Sequence, residues 1–396
     1  MRIERKEALM FTLIRGGRIY APGEMGNRDI LVAADKIVKI GDRIDLPPRF
    51  NAEVVEAGGK TVTPGFIDLH VHIIGGGGEG GPSTRVPEIQ LSQITRAGVT
   101  TVLGLLGTDD VSRHPESLLA KAMGLEQEGL TAYILVSSYQ FPPVTITGSV
   151  RKDIALIPNV MGVGEIAISD HRSSQPTFED VAKVAAEARV GGMLGGKAGL
   201  VQFHIGGGER GLEYLFRLVE ETEIPIEQFL PTHITRSPAV FEHGVRFAQM
   251  GGNVDITVQG KRSSRRMSTG EGVRQLLAAR VSVDRITLTS DANGSMPVFD
   301  ERGNLVRMGV GDIANLYHEF RSLVTEEGFP VSDILRCITL NPARRIKIDA
   351  RKGSLEEGKD ADLIVFDRDW RIDRVYSRGR LMVSGGKPVV KGTFER

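Results

Sequence analysis

The hydrophobic and polar positions change rhythm twice along the chain. The first stretch, FTLIRGGRIYAPGEMGNRDILVAADKIVKIGDRI, alternates short β-branched runs with Gly, Pro and Asn-Arg-Asp breaks at hairpin-like intervals, which predicts antiparallel β-structure. The last stretch, GSLEEGKDADLIVFDRDWRIDRVYSRGRLMVSGGKPVVKG, has the same texture and predicts strands at 361–367, 372–376 and 380–383. Between them a different unit repeats, a brief apolar strand followed by an amphipathic helix with Gly or Asn punctuation. TPGFIDLHVH, GVTTVLGLLG, AYILVSSY, VMGVGEIAI, LVQFHI, FLPTHI, VDITV and RITLTSD supply eight such strands. That count fits an α/β chain built as a (β/α)8 TIM-like barrel, and a doubly wound open sheet fits the same alternation. In six of the eight, residues capable of chemistry stand at the C-terminal end, the face on which barrels build sites. The expected organisation is therefore a small β-sandwich built from both termini, residues 1–63 and 350–396, around a barrel over residues 64–349.

Composition narrows the partners. The chain has 396 residues with 50 basic and 50 acidic side chains, so no bulk charge favours nucleic acid or an anionic membrane surface. No apolar run is long enough to span a bilayer, and MRIERKEALM carries no leader-like segment, which predicts a soluble protein of the cytoplasm with a small-molecule partner. The single cysteine, Cys337, sits in the helical pattern SDILRCITLNPA and reads as a small buried apolar residue.

Histidines carry the candidate chemistry. On a strand, His70 and His72 project to the same face with Cα atoms roughly 7 Å apart, so two imidazoles can converge on one cation or simply bond to each other. His204 closes LVQFH, His233 closes LPTH and Asp291 ends ITLTSD, which raises the metal reading. Four imidazoles and an aspartate exceed the needs of one tetrahedral ion. In VMGVGEIAISDHRSS, Glu165 is the one carboxylate inside the apolar strand; it reads as a bridge between two metals, a ligand to one, or a buried salt bridge. His114 and His171 fall just beyond strand ends and His243 and His318 in helical patterns, so none is assigned to metal.

PGFIDLHVH, the two later histidines, SDANG and GSLEEGKDADLIVFD resemble the metal-dependent amidohydrolase superfamily of dihydroorotases and hydantoinases. HVHIIGGGGEGGPSTR, GLLGTDDVSRHPESLLAK, TITGSV, AISDHRS, RVGGMLGGKAG and SDANGS resemble its isoaspartyl (β-aspartyl) dipeptidase branch along nearly the whole chain. The resemblance implies a metalloprotease-like dipeptidase with two zinc ions. His70, His72 and Asp291 would hold one and His204 and His233 the other, with a bridging hydroxide as nucleophile and Asp291 as general base and acid. It also implies that Tyr139 stabilises the oxyanion, that Glu79 meets the substrate's α-ammonium, and that Gly77, Thr108, Arg172, Arg236 and Ser295 bind the rest of a β-aspartyl dipeptide. A homo-oligomer, an octamer in that branch, is implied as well. One departure stands out: GVGE occurs where the branch carries Gly-Val-Lys and a carboxylated lysine, so Glu165 is expected to replace the carbamate, pushed toward the metals by a bulge at Gly164. Lys197, in the Gly-rich turn GGKAG before the fifth strand, is a weaker candidate for a carbamate that bridges the metals. A cyclic-amide hydrolase is the alternative activity, and a catalytically silent scaffold the third.

Overall fold

The computed structural model describes residues 11–47, 49–258, 267–299 and 305–396; the first ten residues, read above for a leader, lie outside the described residues. Eight strands carry the middle of the chain: β1 (Phe66–Val71), β2 (Val99–Gly104), β3 (Thr131–Val136), β4 (Val160–Ile168), β5 (Leu200–Ile205), β6 (Phe229–Thr232), β7 (Val254–Thr257) and β8 (Ile286–Thr289). Those from β1 to β6 pair in chain order as one parallel sheet, and β7 pairs with β8. At one seam the Thr232 hydroxyl donates to the Asp255 carboxylate at 2.7 Å and the Ile234 N–H to the Asp255 carbonyl at 3.4 Å, joining β6 to β7. At the other, Val71 bridges Ala292, and His72 N–H donates to the Ala292 carbonyl at 2.9 Å. The order never reverses, as a doubly wound sheet requires. The strands close a TIM-like barrel.

Both faces of these strands are covered, which is why they read as continuous apolar runs rather than alternating ones. Hydroxyl caps start the helices between them: Ser149, Thr177, Ser237 and Ser268 each accept a backbone N–H at the first turn. No helix among the described residues is long and apolar enough to cross a membrane.

The two ends of the chain meet in a nine-stranded sheet. Thr61–Pro64 pairs antiparallel with Leu363–Phe366 and so joins the N-terminal strands to the C-terminal ones. Two pairings differ from the antiparallel expectation: Phe11–Tyr20 runs parallel to both Glu53–Glu56 and Thr61–Pro64. A parallel neighbour needs a crossover, which the intervening strands Glu24–Ala33 and Lys36–Gly41 and the loop after them provide. Turn residues announce where a chain reverses, and do not say beside which strand it returns. The sheet encloses its own apolar cluster, including Ile14, Ile30, Val55, Val62, Leu363 and Tyr376. On its barrel side, Phe66, Phe320, Phe366 and Trp370 pack ring against ring at 5.3–5.9 Å.

Candidate metal centre and active site

Strand ends bring the candidate ligands together. His70 lies within β1 and His72 one residue beyond it, His204 within β5, and His233 and Asp291 just past β6 and β8. Glu165 comes from inside β4. Opposite β5 the register slips by one residue, because Val201 faces Val163 while Phe203 faces Ile166. Gly164 and Glu165 therefore share one partner position, a β-bulge that turns the carboxylate into the barrel mouth. Only glycine fits at the hinge: φ of Gly164 is +153°, and a Cβ there would stand 2.8 Å from the Gln202 carbonyl oxygen.

Glu165 stands at the centre of the four imidazoles. Its carboxylate lies 3.4 Å from His70 Nε2, 3.8 Å from His72 Nε2, 3.2 Å from His204 Nδ1 and 3.6 Å from His233 Nε2. Asp291 Oδ1 lies 3.2 Å from His72 Nε2 and 3.5 Å from His70 Nε2. Among the described residues, three groups have ligand atoms all within 4.8 Å of one another: His70, His72 and Glu165; His70, His233 and Asp291; and Glu165, His204 and His233. Backbone strain accompanies the convergence, with φ at +66° for His233 and +52° for Asp291.

These donors fit divalent cations. His70 Nε2 and Glu165 Oε1 are buried and have no hydrogen-bond partner, a costly state for a polar atom unless something else coordinates it. Nitrogen and carboxylate oxygen together suit zinc and its neighbours in the first transition row. The charge balance agrees. Burial alone would lower the His70 pKa, but the carboxylates of Glu165 and Asp291 beside it lift it to about 9. Burial likewise pushes Glu165 up, and His70 and His204 overcome it, holding the carboxyl well below its usual range. The pocket calls for positive charge.

Around this centre lies a second layer of polar side chains. The glycine run after β1 doubles back so tightly that a Cβ on Gly75 would overlap the Val86 carbonyl at 1.9 Å and one on Gly77 would stand 2.5 Å from that of Thr84. Arg113, buried, ties both ends of this loop by donating to the carbonyls of Ile74 and Val86 at 3.2 and 3.0 Å. The loop presents Glu79. Its Oε1 accepts from Ser295 at 2.6 Å, Thr108 at 3.2 Å and Arg172 at 3.3 Å, while Oε2 is buried without a hydrogen-bond partner. Thr108 and Ser295 thus meet Glu79, and Gly77 lies two residues before it. Tyr139 is buried with its ring 4.2 Å from that of His204 and 5.2 Å from the Arg172 guanidinium. Burial and the Glu165 charge push its hydroxyl pKa well up, so it remains a donor.

Other residues part company with this cluster or join it unannounced. Lys197 donates to the carbonyls of Ile157 and Val160 at 2.5 and 3.1 Å, at the opposite end of β4 from Ile168. It is no bridge. Cys337 is buried and its thiol pushed up by burial, in keeping with a packing role. His114 caps the helix Pro115–Glu128, and His243 Nδ1 accepts the Leu212 N–H at 3.2 Å. Three residues had no part in the sequence reading: Asp170, which bonds His204 and Arg172; Thr257, whose hydroxyl lies 2.6 Å from His233 Nδ1; and Arg113. The Asp170–Arg172 pair is visible in SDHRSS, directly after a strand, as an acid beside a base.

The amidohydrolase family matches residues 61–389. The crystal structure of a β-aspartyl dipeptidase from the thermophilic, keratin-degrading Fervidobacterium islandicum AW-1, in complex with the β-Asp-Leu dipeptide, superposes with a TM-score of 0.90 at 43% identity, covering 96% of this chain and 98% of that one. A dihydroorotase of Streptococcus pyogenes serotype M3 is 25% identical, over 89% of each chain. One from Macrococcus caseolyticus is 33% identical over 118 residues, a match spanning 30% of this chain and 26% of that protein. A D-hydantoinase shares the fold at 17% identity and a TM-score of 0.68, over 97% of this chain and 98% of its own.

Proposed function

Because this chain belongs to the amidohydrolase family, whose model spans residues 61–389, we propose that it is a metal-dependent dipeptidase that cleaves the isopeptide bond of β-aspartyl dipeptides. The observation that carries the reading is Glu79, a carboxylate beside the metal centre with one buried oxygen left without a hydrogen-bond partner. A dipeptide joined through an aspartyl side chain offers an α-ammonium for that oxygen; a cyclic ureide does not. Arg172 and Arg236 supply the matching charge for its two carboxylates. The β-Asp-Leu bound in the Fervidobacterium relative supports the same substrate class.

His70, His72 and Asp291 would hold one zinc ion and His204 and His233 a second, with Glu165 between them in place of a carboxylated lysine. Such ions, when bound, supply Lewis acidity and activate water for attack. The chain's own residues do the rest. Glu79 takes the ammonium, and the two arginines orient the carboxylates, fixing the scissile carbonyl in the mouth of the barrel. Tyr139 donates its hydroxyl hydrogen to the carbonyl oxygen as negative charge develops there. Burial raises the Asp291 pKa, but His72 and His70 outweigh it and keep the carboxyl ionised, ready to accept the proton that the attacking water loses. That proton then passes to the leaving nitrogen. We extend the proposal to a cytoplasmic homo-oligomer.

The second reading, a cyclic-amide hydrolase, is favoured by the dihydroorotase similarity over 89% of the chain. Hydrolysis of β-Asp-Leu, α-Asp-Leu, N-acetyl-β-Asp-Leu and dihydroorotate by one purified sample separates the two. Cleavage of free β-Asp-Leu alone is expected. Glu79→Gln should lower kcat/KM for it by about 10- to 100-fold, the worth of one charge-assisted hydrogen bond. Equal turnover of the N-acetylated peptide, or a preference for dihydroorotate, would overturn the dipeptidase reading.

A further inference from the structure

Asp170 stands two residues after β4 and belongs to none of the ligand groups above, yet three side chains converge on it. Its Oδ2 lies 2.9 Å from Arg172 Nη2, 3.0 Å from His204 Nε2 and 3.5 Å from Arg236 Nη1. Its Oδ1 accepts from Arg172 Nε at 3.0 Å and from the Arg172 backbone N–H at 2.8 Å. The residue is only 9% exposed. One carboxylate thus grips the fork of one arginine, touches a second, and meets the imidazole whose other nitrogen, Nδ1, faces Glu165 at 3.2 Å.

Donor counting decides what Asp170 does for that ring. An imidazole that gives its Nδ1 lone pair to a cation carries its hydrogen on Nε2. Arg236 Nη1 at 2.7 Å and Arg172 Nη2 at 3.2 Å surround the same Nε2, and guanidinium groups only donate. Among these neighbours Asp170 alone can accept. With the hydrogen on Nε2, the short Arg236 contact becomes donor against donor, which a carboxylate arriving at Arg236 relieves.

We propose that Asp170 is a positioning residue that couples the metal side of the site to its substrate side: it accepts the Nε2 hydrogen of His204, turning Nδ1 toward the metal, and anchors Arg172 and Arg236 for the substrate's carboxylates. The inference rests on the reading that these arginines face substrate. Coupling is reciprocal, so zinc at His204 and a carboxylate on the arginines tighten each other's binding. Asparagine cannot replace the aspartate, since a single amide oxygen cannot serve both the arginine fork and the imidazole.

The test is zinc retention by the full chain under graded chelator competition, with N-acetyl-leucine or N-acetyl-leucinamide as second ligand. In the wild type, the acid is expected to slow zinc loss at least threefold and the amide to leave it unchanged. In Asp170→Asn, zinc affinity should fall by about 10- to 100-fold, the acid-against-amide difference should vanish, and KM for β-Asp-Leu should rise more than kcat falls. A merely structural aspartate would lower the melting temperature and leave both ratios intact. Wild-type zinc affinity in a folded Asp170→Asn overturns the proposal. So does equal zinc retention with acid and amide in the wild type, which decides the matter should the variant not fold. A wild type that holds zinc but hydrolyses no β-aspartyl dipeptide overturns the dipeptidase reading alone, because chelator competition does not depend on turnover.

Discussion

Replacing Glu165 by glutamine removes one charge and changes almost no volume. The carboxylate lies 3.2–3.8 Å from all four imidazoles, so any cation these nitrogens hold also faces Glu165 at close range. Two unit charges about 4 Å apart interact by about 4 kcal/mol at the effective dielectric of a protein site. At about 1.4 kcal/mol per decade, that is a loss of about a thousandfold in metal affinity. Zinc per chain after dialysis against chelators of graded strength measures it directly. Glu165→Gln should release its metal at chelator strengths that the wild type withstands, and its β-Asp-Leu hydrolysis should fall in parallel and recover partly in excess zinc. If the variant keeps wild-type metal content, and a rate within about threefold of the wild type, then the central carboxylate holds no metal and the bridging argument fails.

Gly164→Ala should test the bulge that delivers that carboxylate. With φ at +153° and only 2.8 Å to the Gln202 carbonyl, the added methyl should cost about 2 kcal/mol or more in a denaturant titration and loosen the metal as well; unchanged values would show that the bulge adapts. A separate effect belongs to the buried cluster in which Lys352 lies 3.1 Å from Asp360 and beside Asp362. Burial would raise the Asp360 pKa, but Lys352, Lys36 and Arg351 bring it down to about 2. A carboxyl depressed on folding stabilises above its unfolded pKa and loses that contribution as pH falls through the folded one. The unfolding free energy from guanidinium titrations should therefore drop by about 1–2 kcal/mol from this group between pH 4 and pH 2. Lys352→Met should cost about 3 kcal/mol at pH 7 and flatten that slope; a slope as steep as in the wild type would assign the acid sensitivity elsewhere.

Much of this site was open to inspection along the chain because barrel chemistry collects at strand ends. Histidines closing apolar runs, and a lone glutamate inside one, are visible without coordinates. The bulge could be suspected from the extra residue in GVGE, since an inserted residue in a buried strand has few other ways to keep its neighbours facing inward. Asp170 could not be weighed that way. SDHRSS shows an acid and a base in a loop, the commonest of surface patterns, and only burial between two guanidinium groups and His204 sets it apart. The same holds for Arg113, which besides the nearby Asp109 carboxylate binds backbone carbonyls from 27 and 39 residues earlier in the chain. Parallel pairing in the terminal sheet was hidden for a related reason. Alternation reports which face of a strand is covered, and partner choice is a long-range matter.

The pairing of Thr61–Pro64 with Leu363–Phe366 has a consequence for how the molecule is made. About 300 residues separate the two segments, so at ribosomal rates of about 5–20 residues per second the earlier strand waits about 15–60 s for its partner. Throughout that interval one edge of the N-terminal sheet is open while the whole barrel is being synthesised behind it. Vectorial folding here therefore joins a strand made before the barrel to strands made after it.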